Sequence, residues 1–367
     1  MQDQTILDQL IQPVIQAAEN KQPLRIRGGG SKDFYGNPQA LQHSSVLDTS
    51  AWQGIVDYEP SELVITARSG TPLAELEKLL HDHGQMLAFD PPHFGAAATL
   101  GGCVAAGLSG PRRAYTGAVR DYVLGTRLLD GKGDILSFGG RVMKNVAGYD
   151  VSRLMTGAMG TLGVLLEISL KVLPKPAVER TLCIQTIPDQ AIKIMRRCSA
   201  EPLPVSATCF HNDQLYIRLS GTESAVRTAH ARLGGDEIKD QASDKENFWE
   251  SVRDHVHPFF RQGKLNGKSL WRLSIKPTTP PLSLPGEQLI EWGGALRWLV
   301  TDENTDTAAI RQQASNAGGH ATLFHSNKTA IPVFHPLSPA LLKIHQRLKQ
   351  QFDPAGILNP QRLYTEF

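Results

Sequence analysis

The chain has 367 residues, of which 41% are hydrophobic and 20% are charged. This composition is typical of a water-soluble protein with one or two domains and a substantial core. Its 38 basic and 36 acidic residues leave a net charge of +2, and no basic tract interleaved with aromatic residues is present. The sequence therefore argues against a nucleic acid as a partner.

The first 22 residues carry acidic side chains and lack a long apolar core, so they predict an amphipathic first helix and not a signal peptide. The uncharged stretch from Pro91 to Pro111 is long enough to raise the question of a membrane span. Because it consists mostly of Gly, Ala, Ser and Thr, a buried and closely packed segment is the prediction, with no membrane span.

Beyond the first helix, strands are predicted at LRIR (24–27) and SSVLDTS (44–50), on either side of a glycine loop. Residues 63–92 predict a strand, a helix and a second strand. In that unit Thr71 is the predicted N-cap and Pro72 the first helical residue, while leucines at helical spacing form the apolar face and Gly84 ends the helix.

Residues 122–139, YVLGTRLLDGKGDILSFG, predict a β-hairpin, and residues 157–176 predict a glycine turn followed by a strand. The Pro-Lys-Pro at 174–176 marks a domain boundary. The predicted organisation is a first domain at 1–176 (subdomains of about 1–57 and 58–176), a cap domain at 177–335, and a C-terminal segment at 336–367 that returns to the first domain.

Two glycine-rich segments dominate the candidate chemistry: Arg27 to Ser31, and residues 93–113. Small residues allow backbone N–H groups to approach an anion, and a nest of such groups binds phosphate without a lysine. A pyrophosphate held between the two segments, with GAMGTLG (157–163) nearby, would explain both. The competing interpretation is tight packing of helix against strand.

Other nucleotide and catalytic motifs are missing. The glycines do not form a G-x-G-x-x-G between a first strand and helix, and GKLNGKS (263–269) is one residue too short for a phosphate-binding loop of the Walker type. No G-x-S-x-G or H-E-x-x-H supports hydrolysis. The pairs His81/His83 and His255/His257 lack further ligands nearby, so no metal site is predicted.

The four cysteines, Cys103, Cys183, Cys198 and Cys209, are scattered along the chain. Iron–sulfur and structural zinc sites need clustered thiolates, so this chain is not expected to build either one alone. Scattered cysteines also favour a reduced, cytoplasmic setting.

Taken in order, several segments resemble the flavoprotein family of vanillyl-alcohol oxidase and p-cresol methylhydroxylase. They are RGGGS, LVITARSGTPLAELEKLLHDHGQ, DPP, GAAATLGGCVAAGLSGPRR, RDYVLGTRLLDGKG, VMKNVAGYDVSRLMTGAMGTLGVLLE and FDPAGILNP. The match covers nearly all of residues 1–176 and about the last thirty. The resemblance implies an α+β protein: a two-subdomain FAD-binding fold of the p-cresol methylhydroxylase type with a smaller α+β cap domain. Within the family, the nearest group is the FAD-binding E subunits of bacterial glycolate oxidases.

The resemblance also implies a set of FAD-binding residues: Arg27, Gly28, Gly29, Gly30, Ser31, Pro91, Gly95, Ala98, Thr99, Gly101, Gly102, Ala106, Gly107, Gly110, Arg113, Lys144, Asn145, Gly157, Gly160, Thr161, Gly163, Val164 and Asn359. Residues 27–31 and 95–110 should hold the pyrophosphate, and 157–164 should lie along the nucleotide. Lys144, Asn145 and Tyr149 should lie towards the isoalloxazine, where a positive charge stabilises reduced flavin. Asn359 should return to the flavin domain.

Departures from the family pattern carry further information. Members with covalent flavin often have His where Ser31 stands, so FAD is expected to be non-covalent. The G-D-G-N-x-H motif of the family's 2-hydroxy-acid dehydrogenases is missing, and NAGGHATLF (316–324) is its nearest counterpart. Ala158 and Met159 replace the usual Ser-Glu. No catalytic acid or base is therefore assigned.

Three functions remain open. The first is the FAD-binding subunit of a glycolate oxidase complex, which contributes to oxidation of glycolate to glyoxylate. Its partners would be a homologous FAD-containing catalytic subunit with the substrate base and an iron–sulfur subunit that accepts electrons. The complex would be cytoplasmic and would meet the inner face of the plasma membrane only through partners. The second is a self-sufficient FAD-dependent dehydrogenase of D-lactate type, with His255, His257, His320 or His325 as its base. The third is a structural subunit with a vestigial flavin site.

Overall fold

The structure, a computed structural model, describes residues 2–38, 44–140, 149–238, 247–265, 267–328 and 330–367. Lys144 and Asn145 lie outside the described residues, so their predicted position towards the isoalloxazine stays a prediction. Tyr149 is described, and its side chain is almost fully exposed.

The N-terminal part of the chain contains five helices and nine short strands among the described residues. Its helices are α1 (Gln2–Asn20), α2 (Leu73–Asp82), α3 (Leu100–Ala106), α4 (Arg113–Thr116) and α5 (Val151–Leu154). Its strands are β1 (Leu24–Arg27), β2 (Ser45–Asp48), β3 (Ile55–Glu59), β4 (Val64–Arg68), β5 (Gln85–Met86), β6 (Val123–Leu129), β7 (Ile135–Gly139), β8 (Val164–Lys171) and β9 (Leu173–Pro174). The predicted first helix, the strands around the glycine loop and the hairpin of β6 and β7 are confirmed.

Two sheets position the glycine-rich loops. Strands β1 and β2 pair in parallel, and the chain passes from β1 directly into the glycine loop. The second sheet is antiparallel and has the order β3-β4-β8-β6-β7. Helices α2 and α3 contribute buried leucine, valine and cysteine side chains to the core above this sheet. Most of the stretch at 91–111 is thus buried around α3, as predicted, although residues 95–97 are exposed.

One prediction in this part is wrong. Thr71 does not cap α2: the helix begins at Leu73 after Pro72, with no side-chain cap. The Thr71 hydroxyl instead contacts the backbone of Gly54, accepting from its N–H and donating to its carbonyl. Threonine before Pro-Leu is a common N-cap sequence, but here the loop at Gly54 takes the hydrogen bonds of the Thr71 hydroxyl.

The C-terminal part holds eight further strands and six helices among the described residues. The strands are β10 (Val178–Gln185), β11 (Val205–His211), β12 (Gln214–Gly221), β13 (Asp236–Ile238), β14 (Lys268–Ser274), β15 (Glu287–Glu291), β16 (Leu296–Asp302) and β17 (His320–His325). The helices are α6 (Pro188–Ala200), α7 (Glu223–Leu233), α8 (Phe248–Arg253), α9 (Pro258–Gln262), α10 (Thr307–Asn316) and α11 (Pro339–Phe352).

These eight strands form one antiparallel sheet with the order β13-β10-β12-β11-β15-β16-β14-β17. Helices α6 and α7 cover one half of its outer face and α10 covers the other half. The inner face packs against the N-terminal part through Trp249, Phe260, Trp292 and Trp298, which meet Tyr35 and other side chains of that part. A buried cluster rich in aromatic side chains therefore lies between the eight-stranded sheet and the N-terminal part.

A charged network joins the two parts at one edge of this cluster. Asp90 receives the guanidinium of Arg112 at 3.2 Å and that of Arg218, on β12, at 2.7 Å. Arg112 also pairs with Glu179 on β10. Burial acts to raise the pKa of Asp90, but the charges of Arg218 and Arg112 together outweigh it and lower that pKa. The network links two strands of the cap sheet, β10 and β12, to the loop that precedes the second glycine-rich segment.

The C-terminal segment contacts the N-terminal part. The buried Lys349 ammonium donates to the Asp353 carboxylate at 2.7 Å, and also to the carbonyls of Thr161 and Leu358. The same carboxylate accepts from the N–H groups of Ile357 and Leu358. This buried and fully hydrogen-bonded ion pair ties the end of α11 to the GAMGTLG turn. Within the described part of the chain, no helix is long and apolar enough to cross a membrane.

Candidate functional site

The candidate site is a cleft where the loop after β1, the start of α3, the GAMGTLG turn and the C-terminal tail meet. It encloses about 920 Å³ of empty space, part of it open to solvent. Twelve residues of the predicted set line it: Arg27, Gly28, Gly29, Gly30, Ser31, Thr99, Gly101, Gly102, Ala106, Gly160, Gly163 and Asn359. Segments that are distant in sequence therefore share one site, as the pyrophosphate prediction requires.

The loop from Gly28 to Lys32 presents a row of unused donors. None of its five backbone N–H groups donates a hydrogen bond to an acceptor in the described residues. Backbone N–H groups in folded proteins are nearly always paired with protein or water. Consecutive free N–H groups around a left-handed residue, here Gly30 with φ of 72°, form an anion-binding concavity. The loop thus has the donors that a diphosphate needs.

The reason why these positions must be glycine differs from the expectation. A Cβ on Gly29 would fall at little more than a covalent bond length from the carbonyl oxygen of Ala97. A Cβ on Gly28 would lie 2.5 Å from the Thr99 hydroxyl oxygen. The two glycine-rich segments therefore touch each other directly, and their lack of side chains serves this contact. The free N–H groups are a consequence of the resulting loop shape.

The other described residues of the predicted set do not line the cleft: Pro91, Gly95, Ala98, Gly107, Gly110, Arg113, Gly157, Thr161 and Val164. Packing explains two of the glycines among them. Gly107 has φ of 65° and a Cβ there would lie 2.8 Å from the Cα of Gly157, while a Cβ on Gly110 would overlap the carbonyl of Asp90. At these two positions the tight-packing interpretation is the better one.

Asn359 connects three segments at the floor of the cleft. Its side-chain oxygen accepts from the N–H of Ile26 at 2.8 Å, and its side-chain amide donates to the carbonyl of Met159 at 2.6 Å. Its own N–H bonds to the carbonyl of Leu24. Because both ends of the side chain are occupied by backbone groups, Asn359 positions β1 and the GAMGTLG turn relative to each other.

The cleft contains one buried cation that the sequence motifs did not single out. Arg25 and Arg27 both pair with Asp33, at 2.6 and 2.8 Å, and this one carboxylate offsets one of their two positive charges. Arg362 is only 6% exposed and lines the cleft. One of its terminal nitrogens donates to the carbonyls of Lys32 and Asp33, but the other, Nη1, is buried without a partner in the described residues. Burial lowers the pKa of Arg362 to about 10.

The cleft also has an apolar lining. Met155, Ala158, Met159 and Leu165 line it, so the two residues that replace the usual Ser-Glu pair contribute apolar surface. An apolar wall together with a set of convergent donors is the usual make-up of a nucleotide or cofactor pocket.

A second cavity adjoins the cleft at Ser31, which lines both. It lies between the loop at 93–96 and the cap, and encloses about 1220 Å³ of empty space including its opening. Phe34, Phe94 and Phe324 provide aromatic walls, with the rings of Phe34 and Phe94 perpendicular at 5.3 Å. Gly95, one of the predicted residues outside the cleft, lines this cavity instead. A planar ring system attached to a diphosphate in the cleft could enter here past Ser31.

The four histidines proposed as bases are spread over the cap. His325 lines the second cavity, and His255 lines a smaller cavity beside it. His257 and His320 line neither, and burial lowers the pKa of His257 to about 4. In the part of the chain that the structure describes, no three His, Cys, Asp or Glu side chains form a group suited to a metal ion.

Known proteins resemble this chain in sequence and in fold. Residues 7–139 match the protein family described as FAD binding domain. The chain is 49% identical to glycolate oxidase subunit GlcE of Escherichia coli (strain K12), over 97% of either chain. Glycolate oxidase subunit GlcD of Bacillus subtilis (strain 168) is 31% identical over 45% of this chain and 35% of its own length.

A solved structure of alkyldihydroxyacetonephosphate synthase superposes with a TM-score of 0.66, covering 96% of this chain and 74% of the other at 16% identity. At that identity the similarity concerns the fold alone. Together with the matched FAD binding domain, it confirms the predicted α+β fold of the p-cresol methylhydroxylase type.

Proposed function

Because the chain belongs to the family of the glycolate oxidase subunit GlcE, we propose that it is the FAD-binding subunit of a glycolate oxidase, which oxidises glycolate to glyoxylate. Bound FAD would supply the redox chemistry, since a flavin accepts two electrons from an alcohol and releases them singly. The observation that carries this proposal is the row of five free backbone N–H groups from Gly28 to Lys32, in a cleft wide enough for a nucleotide.

The chain's own residues would bind and orient the cofactor. The Gly28–Lys32 loop and the free nitrogen of Arg362 would hold the diphosphate, and the wall of Met155, Ala158 and Leu165 would contact the adenosine. The aromatic cavity beyond Ser31 would take the isoalloxazine and keep water from it. We keep Lys144 and Asn145 in the proposal as groups near that ring.

We propose that the cofactor is held without a covalent bond. Ser31 stands at the junction of the two cavities, where related proteins with covalent flavin often carry His. A serine hydroxyl cannot form that link, and here its oxygen accepts from the Lys32 ammonium at 3.4 Å. Donors and shape alone would then retain the FAD.

Partner subunits complete this proposal. The four cysteines are free, and three of them are buried in separate places, so iron–sulfur clusters would belong to another chain. A homologous FAD-containing subunit would carry the substrate base, which is supported by the similarity to a GlcD subunit. We also propose the division into a FAD domain (1–176), a cap (177–335) and a returning tail (336–367), in a cytoplasmic protein.

The test of this function is purification of the chain alone. We expect a yellow protein whose FAD is released into the supernatant by acid and which glycolate does not bleach under anaerobic conditions. Pull-down from the native cell should recover a second flavoprotein and an iron–sulfur protein. A colourless protein that takes up no added FAD would refute the flavin role and support a structural subunit.

A second candidate function is a self-sufficient dehydrogenase, which the positions of His255 and His325 beside the cavities favour. Bleaching of the isolated protein by glycolate or D-lactate would establish it and remove the need for a partner base. If the flavin stayed in the pellet after acid precipitation, the proposed non-covalent attachment would be wrong, but the proposed flavin role would stand.

We expect Arg362→Met to weaken FAD binding by about 10- to 100-fold, because a hydrogen bond to a charged group contributes about 1.5–3 kcal/mol. Quenching of flavin fluorescence on titration of the FAD-free protein measures the affinity. Arg362→Lys keeps the charge but loses the forked geometry, so its FAD affinity should lie between those of the wild type and Arg362→Met. The control is Arg347→Met on the exposed side of α11. Unchanged affinity in Arg362→Met would remove this arginine from the diphosphate site.

A further inference from the structure

A third cavity lies between residues 108–111 of the glycine-rich segment and the inner face of the cap sheet. It is small, with about 310 Å³ of empty space including its mouth. Four of its lining side chains can carry charge: Arg253, His255, Arg272 and Glu291. Phe94 and Phe324 line both this cavity and the aromatic cavity proposed for the isoalloxazine, so the two spaces are neighbours.

Arg272 brings to this cavity a positive charge that no ion pair holds in place. Its neighbours in β14, Trp271 and Leu273, are buried on the outer face, so Arg272 points to the inner face. Its guanidinium lies 5.0 Å from the ring centre of Trp292 and makes no hydrogen bond or ion pair with any residue that the structure describes. Burial lowers the pKa of Arg272, and a guanidinium stays charged at neutral pH.

Arg272 is only partly exposed, and a guanidinium without a partner in such a place favours an accompanying anion. A second guanidinium, that of Arg113, stacks on the same Trp292 ring at 4.4 Å and adds to the positive potential. Glu291 is the nearest acidic candidate, but it does not pair with Arg272; its carboxylate accepts from the indole N–H of Trp298 at 2.7 Å. Burial raises the pKa of Glu291 to about 7. Glu291 therefore attracts Arg272 without forming an ion pair with it, and the guanidinium donors stay free for a ligand.

His255 provides a second unused polar group at the same place. The residue is 5% exposed, its ring stacks on Phe260 at 3.9 Å, and its Nδ1 is buried without a hydrogen-bond partner in the described residues. His255 and Phe94 also hold left-handed backbone conformations, with φ of 57° and 55°. Such conformations cost about 1–3 kcal/mol in bulky residues and are concentrated at ligand sites.

We propose that this cavity binds a small carboxylate of the 2-hydroxy-acid class, with Arg272 holding the carboxylate and His255 and Glu291 facing the hydroxyl. The forked donors of a guanidinium match the two oxygens of a carboxylate. A hydroxyl next to it can donate to the Nδ1 of His255 or to Glu291. The anion preference follows from Arg272, whereas the choice of a 2-hydroxy acid rests on the proposed function.

The small volume excludes a flavin nucleotide and large acids from this cavity. The proposal concerns binding alone, so it is compatible with a partner that supplies the base for turnover. With this site the chain would bind a small acid next to the proposed flavin ring, in addition to binding the cofactor.

The test is a titration of the purified FAD-containing protein with glycolate and with oxalate under anaerobic conditions. Tryptophan fluorescence reports on the cavity through Trp292 and Trp298, and the flavin absorption bands report on the neighbouring ring. We expect saturable changes with both acids and none with glycolamide, which has no charge. Arg272→Met should weaken binding at least about tenfold, and Arg272→Lys should weaken it less. Arg196→Met, on the exposed side of α6, is the matched control.

The possible failures are distinguishable. A yellow protein that shows no response to either acid, or an Arg272→Met protein that binds them as the wild type does, would overturn the carboxylate site. Loss of FAD from Arg272→Met with glycolate binding retained would assign Arg272 to the flavin and also overturn it. A protein without FAD would contradict the proposed function, while tryptophan fluorescence would still decide whether the cavity binds glycolate.

Discussion

Replacing Gly29 with alanine should yield a protein that no longer retains FAD. The added Cβ cannot coexist with the carbonyl oxygen of Ala97, and both partners are backbone, so the RGGGS loop must move away from the second glycine-rich segment. This displacement disperses the five N–H groups that would hold the diphosphate. We expect at least a 100-fold loss of FAD affinity, equivalent to about 2.8 kcal/mol, measured by flavin fluorescence and by the FAD content after gel filtration.

Gly221→Ala is the matched control, because a Cβ there meets only the Pro204 side chain at an ordinary distance of 3.5 Å. Circular dichroism separates loss of the loop from loss of the fold. A folded Gly29→Ala protein with wild-type FAD content would show that the cleft does not hold the diphosphate. Should that variant fail to fold, Ser31→Ala together with Arg362→Met tests the same site without a backbone clash.

The second large effect is expected at Asp90. Changing Asp90 to Asn should lower the free energy of unfolding by about 3–5 kcal/mol, because it leaves the buried guanidinium of Arg218 without its paired carboxylate and Arg112 with Glu179 alone. Urea unfolding at neutral pH measures the loss. Asp302→Asn is the control: its partner Lys268 lies in an exposed pair at 2.6 Å, so the change should be within about 0.5 kcal/mol.

The same aspartate predicts an acid-sensitive component of stability. The pKa of Asp90 in the folded state lies below its ordinary value of 3.8, so the ionised form is favoured by folding. Its contribution is complete above that ordinary value and is lost as the pH falls through the lower folded pKa. The difference in unfolding free energy between wild type and Asp90→Asn should therefore shrink below about pH 4. A difference in unfolding free energy that stays constant down to pH 2 would contradict the prediction that protonation of Asp90 destabilises the protein in acid.

Several features could be predicted from the sequence because they depend on local backbone geometry. The β6–β7 hairpin follows from two alternating runs around Asp-Gly-Lys-Gly, and its register confirms the turn. The apolar face of α2 follows from leucines at helical spacing, three of which are fully buried. Consecutive glycines at 28–30 indicate a close backbone contact, and residues 27–31 do line the cleft.

Other features could not be derived in this way because they depend on partners far away in the chain. The cap on α2 was misassigned because Gly54, seventeen residues earlier, takes the Thr71 hydroxyl. Gly107 and Gly110 look like ligand-binding glycines by composition, yet contact with Gly157 and Asp90 explains them. A glycine that touches backbone and a glycine that touches a ligand have the same signature in a sequence.

The sequence by itself, through the motifs it shares with a known family, therefore determined a fold of the p-cresol methylhydroxylase type with a glycine-lined cleft. Only the tertiary structure decided which charged groups at that cleft are paired and which are not. Arg25 and Arg27 stand beside the glycines in the chain but are paired with Asp33, whereas Arg362, more than 300 residues away, reaches the cleft with a free nitrogen. The physical reason is that the interaction energy of a charged group depends on which groups surround it in space and on how deeply it is buried. Neither can be derived from the residues next to it in the sequence.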